Sequence, residues 1–223
     1  MPELDPDGAP GPEDGSAAVD LDTLVERIAA AAAAPRGRRA LVAVVGAPAS
    51  GKSTLAATLA ARVPRSVVVP MDGFHLDNAV LDARGLRARK GAPETFDADG
   101  FLHLIRRMTE AVEVVAPVFD RSRDLSVAGA VVVPANCPVI IVEGNYLMFD
   151  EMPWANLADL WDLSVRLEVP MPKLRSRLIQ RWLSLNYSRT AATRRAEGND
   201  IPNAERVLLN ALPCDITLVD GGD

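Results

Sequence analysis

The chain has 223 residues, of which about half are apolar and about a quarter charged, and its formal net charge is −6. This length and composition predict one globular domain and exclude a surface that is basic throughout, as a general nucleic-acid or anionic-membrane binder would need. Its two cysteines have no metal-ligand spacing, and no apolar run approaches the ~18 residues of a membrane span.

Residues 1–18 are rich in proline, glycine and acidic side chains. Such a segment buries little apolar surface, which predicts a disordered tail, and it lacks the basic and apolar regions of a secretory signal. We therefore expect a cytoplasmic protein without nucleic-acid or membrane partners. From residue 21 onward apolar residues follow helical spacing, and an alanine run extends this predicted helix to Pro35. Residues 19–223 are predicted to form a single domain.

Five short apolar runs alternate with helical patterns along this domain. Runs of this length are typical of parallel strands that are buried on both faces. The predicted core strands are Ala40–Val45, Ser66–Pro70, Val139–Val142, Leu163–Val169 and Asp215–Val219. The predicted helices are Thr54–Val63, Asp99–Val112, one from about Met171 and one from about Asn203. This alternation predicts an α/β fold of three layers, with a mostly parallel five-stranded sheet and helices on both faces.

Two further regions lie between the core elements. Val114–Phe119 and Ala130–Val133 are short candidate strands. Residues 73–96 form a long polar connection with four basic residues. A connection of this length is uncommon unless it is functional or contains short elements of its own.

The segment 46–53 reads GAPASGKS and matches the phosphate-binding pattern G-x-x-x-x-G-K-[S/T]. It lies between a predicted strand and a predicted helix, which is the context that this motif needs. Glycines let backbone N–H groups turn inward, and the start of the helix adds unpaired N–H groups and a positive dipole. We expect ATP to bind here, with Lys52 on the β- and γ-phosphates and the Ser53 hydroxyl on Mg²⁺. The predicted nucleotide-binding residues are Gly46, Ala47, Pro48, Ala49, Ser50, Gly51, Lys52, Ser53 and Thr54.

Other motifs in the sequence indicate the class of P-loop protein. The Asn-Lys-x-Asp motif of GTPases and the LSGGQ-like motif of ABC-type ATPases do not occur in the sequence. Arginines are instead clustered over about residues 171–198, which favours a small kinase with an arginine-bearing lid. Arg177 and Arg181 are four residues apart on one predicted helix face, where their guanidinium groups could bind the transferring phosphoryl group. A solvated helix face explains these arginines equally well.

The sequence resembles the phosphoribulokinase, uridine kinase and bacterial pantothenate kinase family. Four segments match in order: the P-loop, MDGFH at 71–75, RKGAPETFD at 89–97 and IIVEGNYLM at 140–148. A fifth, APVFDRSRD at 116–124, is similar to the Pro-x-Tyr-Asp segment of that family, with phenylalanine in place of tyrosine. Within the family it most resembles the bacterial branch often labelled nucleoside/nucleotide kinase-like or fructose-transport-system kinase. The resemblance implies Mg²⁺- and ATP-dependent phosphorylation of a small molecule.

Two acidic residues follow predicted strands of the sheet. Asp72 is the candidate group that orients and deprotonates the acceptor hydroxyl, and the alternative is that it caps a turn. Glu143 is the candidate group that holds Mg²⁺ together with Ser53 or contacts the substrate. The alternative for Glu143 is a buried acid whose charge is satisfied by a neighbouring N–H group.

The resemblance alone adds five substrate-side candidates, and they are His75, Arg89, Lys90, Phe119 and Arg123. The missing tyrosine hydroxyl at Phe119 counts most against the uridine kinase interpretation. We therefore predict an ATP-dependent kinase whose acceptor is a nucleoside, a pantothenate-like molecule or a sugar. The alternative function is an ATP-binding regulator or adaptor without phosphotransfer. The oligomeric state, with a homodimer as one option, is left open.

Overall fold

The computed structural model describes residues 20–34 and 37–220, and the predicted disordered tail lies outside these residues. The strands are β1 (Ala40–Val45), β2 (Val67–Pro70), β3 (Val114–Asp120), β4 (Leu125–Val133), β5 (Val139–Gly144), β6 (Leu163–Glu168) and β7 (Ile216–Val219). The helices are α1 (Leu21–Ala33), α2 (Lys52–Arg62), α3 (Asn78–Ala83), α4 (Ala98–Glu110), α5 (Met171–Ser184), α6 (Arg189–Arg195) and α7 (Ile201–Leu209). In the described part of the chain, none of the helices has the length and apolar character that crossing a membrane requires.

The five predicted core strands form one parallel sheet in the order β2-β5-β1-β6-β7. The central strand β1 is buried at every position because helices cover both faces of the sheet. Leu41 belongs to one hydrophobic core and its neighbour Val42 to the other. This confirms the predicted α/β fold and explains why the strand is apolar without alternation.

Each face of the sheet is covered by its own helices. On one face, α1 and α2 contribute Ile28 and Leu59 to the core. On the opposite face, α4, α5 and α7 contribute residues such as Phe101, Leu174 and Ala204. Because all five strands are parallel, their carboxyl ends lie at the same edge, where ligands bind in sheets of this kind.

The polar connection over residues 73–96 contains short elements of its own. A 3-10 turn at Met71–Phe74 begins it, α3 follows, and further 3-10 turns lie at Arg87–Arg89 and Pro93–Thr95. A bridge between His75 and Phe96 closes the segment near its two ends. The connection is therefore an ordered loop that is anchored beside the end of β2.

The strands β3 and β4 form a separate antiparallel hairpin. The sequence predicted β4 only over Ala130–Val133, whereas the strand begins at Leu125. In the missed part, 125–129, no residue is fully buried, and Ser126, Ala128 and Gly129 are polar or small, so it lacks the continuous apolar signal that marks a buried strand. At the turn, the Asp120 carboxylate accepts hydrogen bonds from the backbone N–H groups of Ser122 and Arg123. The hairpin carries this charged turn toward the edge where the parallel strands end.

Candidate active site

The loop between β1 and α2 is shaped by two glycines. A Cβ atom on Gly46 would lie 2.6 Å from Ser50 Oγ and 2.8 Å from the Leu167 carbonyl oxygen, so only glycine fits there. Gly51 has φ of 99°, a left-handed conformation that side chains disfavour. The predicted motif therefore lies at the strand-to-helix junction that a phosphate cradle requires.

The backbone of this loop presents donors to the cleft. The helix α2 begins at Lys52, and Gly51, its N-cap, has no side chain that could occupy the first N–H groups. On the far side, Arg177 Nη1 donates to the carbonyl oxygens of Ala49 and Ser50 at 3.4 and 3.2 Å. Because the C=O and N–H of a trans peptide point in opposite directions, this contact directs the Gly51 N–H away from Arg177.

Glu143 lies beside this loop because β5 pairs with β1. Only 7% of the residue is exposed, and its Oε2 accepts a hydrogen bond of 3.0 Å from Ser53 Oγ. Burial raises the pKa of Glu143, the nearby Lys52 opposes this shift, and the negative charge of Asp72 adds to it. The two oxygen-bearing side chains, Ser53 and Glu143, fit the preference of Mg²⁺ for hard oxygen ligands.

The described residues contain no cluster of three or more His, Cys, Asp or Glu side chains that could hold a metal ion. A Mg²⁺ that shares its coordination between two protein oxygens and nucleotide phosphates does not need such a cluster. The donor set at Ser53 and Glu143 is therefore compatible with a metal that arrives with the nucleotide.

Asp72 lies on the 3-10 turn that follows β2. The next residue, Gly73, packs so tightly against the hairpin that a Cβ atom there would lie 2.3 Å from the Pro117 carbonyl oxygen. This close approach brings the hairpin turn to Asp72, whose Oδ2 accepts a hydrogen bond of 2.6 Å from Arg121 Nη2. Asp72 is thus held as one half of an ion pair at the mouth of the cleft.

His75 is enclosed by aromatic rings. Its ring centroid lies 4.1 Å from that of Phe96 and 4.4 Å from that of Phe119. Burial lowers the pKa of His75, although the charge and carbonyl of Asp72 oppose this shift. Its Nδ1 lies 2.7 Å from the Asp72 carbonyl oxygen, which can only accept, so Nδ1 carries the proton of the neutral ring.

The P-loop, Asp72 and His75 line one cleft of about 520 Å³, and Glu143 lies behind Ser53 in its wall. The P-loop forms one wall, the Asp72 turn and the hairpin form the acceptor side, and α5 with the segment after α6 forms the roof. Among the lining residues that the sequence predicted are Pro48, Ala49, Gly51, Lys52, Ser53, Thr54, Asp72, His75, Lys90, Phe119 and Arg181. A pocket of this kind, at the carboxyl edge of a parallel sheet, is the default place for a ligand.

The phosphoribulokinase/uridine kinase family model matches residues 41–182, which include the P-loop, both acids and most of α5. The chain belongs to this family. Its predicted membership is thereby confirmed, and with it a P-loop kinase architecture. Members of the family use ATP with Mg²⁺ in general.

Similar proteins agree with this assignment. An uncharacterized Escherichia coli protein, YggC, is 39% identical over 180 residues, which cover 78% of this chain and 75% of that protein. A Schizosaccharomyces pombe protein with the provisional name of uridine kinase is 36% identical, over 81% of this chain and 83% of its own length. A crystal structure from Silicibacter sp. TM1040, provisionally named a fructose transport system kinase, superposes with a TM-score of 0.86. It is 48% identical and covers 89% of this chain and 98% of its own.

The two predicted lid arginines of this family member have different surroundings. Arg181 lines the cleft, and its side chain makes no hydrogen bond or ion pair with the described residues. Desolvation in the cleft and, after it, the positive charge of Arg121 lower the pKa of Arg181. Arg177 instead holds the P-loop carbonyls and pairs with Asp220 Oδ2 at 2.7 Å, so it does not line the cleft. A direct phosphate contact by Arg177 stays a prediction that would need a movement of α5.

Three of the predicted substrate-side residues are already paired with other residues of the protein. Arg123 Nε pairs with Asp120 at 2.7 Å, and Arg89 pairs with Glu94, so neither lines the cleft. Lys90 does line it, but its ammonium group already binds Asn78 and Asp124. Gly46 and Ala47 face an adjoining cavity of about 340 Å³ rather than the main cleft.

Sequence reasoning missed several lining residues. Arg121 stands two residues before Arg123 in the same charged turn. Strand alternation would place both side chains on one face, so it carried no signal that separates them. Asn145, two residues after Glu143, lines both cavities, and its Oδ1 is buried without a partner among the described residues. The remaining missed residues in the main cleft are Arg87, Gly91, Phe96, Asp124, Trp182, Arg195, Asp200 and Asn203. Most of these lie in loops or short helices, where periodicity carries little information.

Proposed function

We propose that this protein is an ATP-dependent kinase that transfers the γ-phosphate of ATP to a hydroxyl group of a small metabolite. The observation that carries the proposal is convergence: the P-loop, Asp72 and Arg181 lie on three different elements and line one cleft, and Glu143 accepts a hydrogen bond from Ser53 in its wall. Chance placement of a turn-capping aspartate does not explain why it faces a phosphate cradle.

The nucleotide half would bind the triphosphate. Backbone N–H groups at the start of α2 and the Lys52 ammonium group hold the phosphates, as in other P-loops. Ser53 and Glu143 would hold Mg²⁺, which would supply positive charge to neutralise the phosphates. Arg181 can donate to the transferring phosphoryl oxygens because its guanidinium group makes no hydrogen bond or ion pair with the described residues.

The acceptor half would activate the hydroxyl group. Asp72 accepts a hydrogen bond from the hydroxyl, orients its oxygen toward the γ-phosphorus and takes its proton as transfer occurs. The hydroxyl oxygen forms the new P–O bond, and the bond from the γ-phosphorus to the leaving ADP oxygen breaks. Closing of the α5 and α6 helices over the cleft would exclude water from the reaction.

Acceptor-dependent release of ADP distinguishes a kinase from the alternative function. A regulator or adaptor would bind ATP without acceptor-dependent release of ADP. We propose to measure ADP release with Mg²⁺ and a panel of nucleosides, pantothenate, pentoses, hexoses and sugar alcohols. A kinase gives release with at least one acceptor and loses it in Lys52→Ala. Tight ATP binding without release for any acceptor would contradict the proposal.

A further inference from the structure

On the acceptor side of the cleft, Arg121 has the most hydrogen-bond donors without a partner. It stands on the β3–β4 turn, and its side chain is 60% exposed. Its Nη2 donates to Asp72 Oδ2 at 2.6 Å, and no other hydrogen bond of its guanidinium group is made within the described residues. A guanidinium group has five N–H donors in a planar fork, so most of the donors of this cleft-lining residue are free for a ligand.

The other cations on the acceptor side are already paired. Lys90 Nζ donates to Asn78 Oδ1 and to two oxygens of Asp124, all within 3.0 Å. Arg87 Nη1 donates to Asp82 Oδ2 at 3.1 Å. Arg121 therefore has the spare donors that a ligand on this side would meet.

The charge of the cleft also favours an anionic ligand on this side. Although the chain has a net charge of −6, the cleft is lined by six basic and three acidic side chains. Lys52 lies on the nucleotide side, and Arg181 and Arg195 lie on the roof. Three cations therefore remain beside the acceptor, where only Asp72 and Asp124 oppose them.

The aromatic residues argue against a stacked nucleobase. The His75 ring packs against both Phe96 and Phe119. Lys90 Nζ lies 4.9 Å from the centroid of the Phe119 ring. Rings that are packed against each other and against a cation offer little free face for a base, whereas carboxylates and phosphates need only donors.

We propose that Arg121 recognises an anionic group of the acceptor, a carboxylate or a phosphate, while its Nη2 keeps Asp72 oriented toward the reacting hydroxyl. This inference rests on the proposed kinase function and names the class of its acceptor. Because one guanidinium group serves both partners, the anionic group and the phosphorylated hydroxyl lie only a few bonds apart. Hydroxy acids, sugar acids and sugar phosphates have this pattern, and neutral sugars and nucleosides do not.

The test uses acceptors in pairs in which one member carries the anionic group and the other lacks it. Glycerate is compared with glycerol, and ribose 5-phosphate with ribose, with uridine as a neutral nucleoside. We expect acceptor-dependent ADP release from at least one anionic member, with kcat/KM at least ~10-fold above its neutral partner, since hydrogen bonds between charged groups contribute this much. The carboxylate and phosphate pairs distinguish the two kinds of anion.

Variants of Arg121 test whether its side chain causes the preference for anionic acceptors. In Arg121→Ala, KM for the anionic acceptor should rise ~10- to 100-fold while KM for ATP is unchanged, and Arg121→Lys should restore part of the loss. Arg62→Ala is the matched control, because Arg62 pairs with Asp22 at the same distance of 2.6 Å but lies outside the cleft. It should retain wild-type KM values.

Four results would overturn the inference. Equal turnover of charged and neutral partners, or preferred turnover of uridine, would refute it while the kinase function stands. An Arg121→Ala variant with unchanged acceptor KM would refute the assigned residue. Absence of turnover with every acceptor would contradict the kinase function itself and this inference with it.

Discussion

The two halves of the cleft are built in different ways. The nucleotide half consists of backbone N–H groups, one lysine and a buried acid, all held by β1, β5 and the start of α2. The acceptor half consists of partly exposed ion pairs and packed rings from two regions, the connection over residues 71–96 and the β3–β4 hairpin. Backbone groups cannot be changed by substitution, whereas side chains can. The difference explains how a family can keep one phosphate donor and vary the acceptor.

The same contrast appears in the supports of each half. Arg177 braces the P-loop from behind, through carbonyl oxygens that are common to all residues. On the other side, Gly73 and Pro117 fix the distance between the Asp72 turn and the hairpin. Substitutions in the first half should therefore change ATP use for every acceptor, and those in the second should change acceptor use at constant ATP affinity.

The largest expected effect is that of Asp72→Asn. Loss of the proton acceptor should lower kcat by about 100- to 10,000-fold while ATP affinity is retained. Steady-state ADP release and a nucleotide-binding titration measure the two quantities. Asp22→Asn removes a carboxylate that also pairs with an arginine at 2.6 Å but lies outside the cleft, and it should leave both unchanged. Near-normal turnover in Asp72→Asn would refute its assignment.

The substitution Glu143→Gln should lower the activity of the protein and raise its stability. The amide weakens binding of Mg²⁺, so we expect activity to fall about 10- to 100-fold. Because burial raises the pKa of Glu143, the charged carboxylate destabilises the folded state at neutral pH. Its removal should therefore raise the free energy of unfolding by about 1 kcal/mol, seen as a Tm increase of a few degrees. A lower Tm at pH 7 would show that the hydrogen bond with Ser53 outweighs the burial of charge.

Arg177→Ala tests whether nucleotide binding depends on the hydrogen bonds from Arg177 to the P-loop. The variant leaves the Ala49 and Ser50 carbonyl oxygens without this donor, so KM for ATP should rise roughly 10-fold at constant acceptor KM. Arg175→Ala, on the same helix but paired with Glu197 outside the cleft, is the control. An equal effect of the two substitutions would assign the change to α5 as a whole.

These two halves also differ in how far the sequence predicted them. The P-loop is one continuous segment whose chemistry depends on local backbone shape, so Gly46 and Gly51 indicated it directly. The acceptor half depends on contacts between residues far apart in sequence, such as Asp72 with Arg121. Resemblance named Arg123 in that turn, but the direction of each side chain depends on the hairpin register, which begins at Leu125. The parallel sheet could be predicted from the sequence because its buried strands are apolar at every position. Most of β4 could not be predicted, because it is partly exposed and lacks this pattern.

The smallest expected effect concerns His75, and it tests whether the rings of the acceptor half are packed as a unit. Burial lowers the pKa of His75, so below its ordinary value of about 6.5 the unfolded chain binds a proton that the folded protein resists. The free energy of unfolding should therefore fall as the pH falls below about 6.5, by roughly 1 kcal/mol by pH 5. His75→Gln should flatten this dependence in thermal denaturation between pH 5 and 8. His103→Gln, a change at the other histidine on the exposed side of α4, should leave it unaltered. An unchanged slope in His75→Gln would show that His75 does not cause the pH dependence and that burial among the rings does not weaken its binding of a proton.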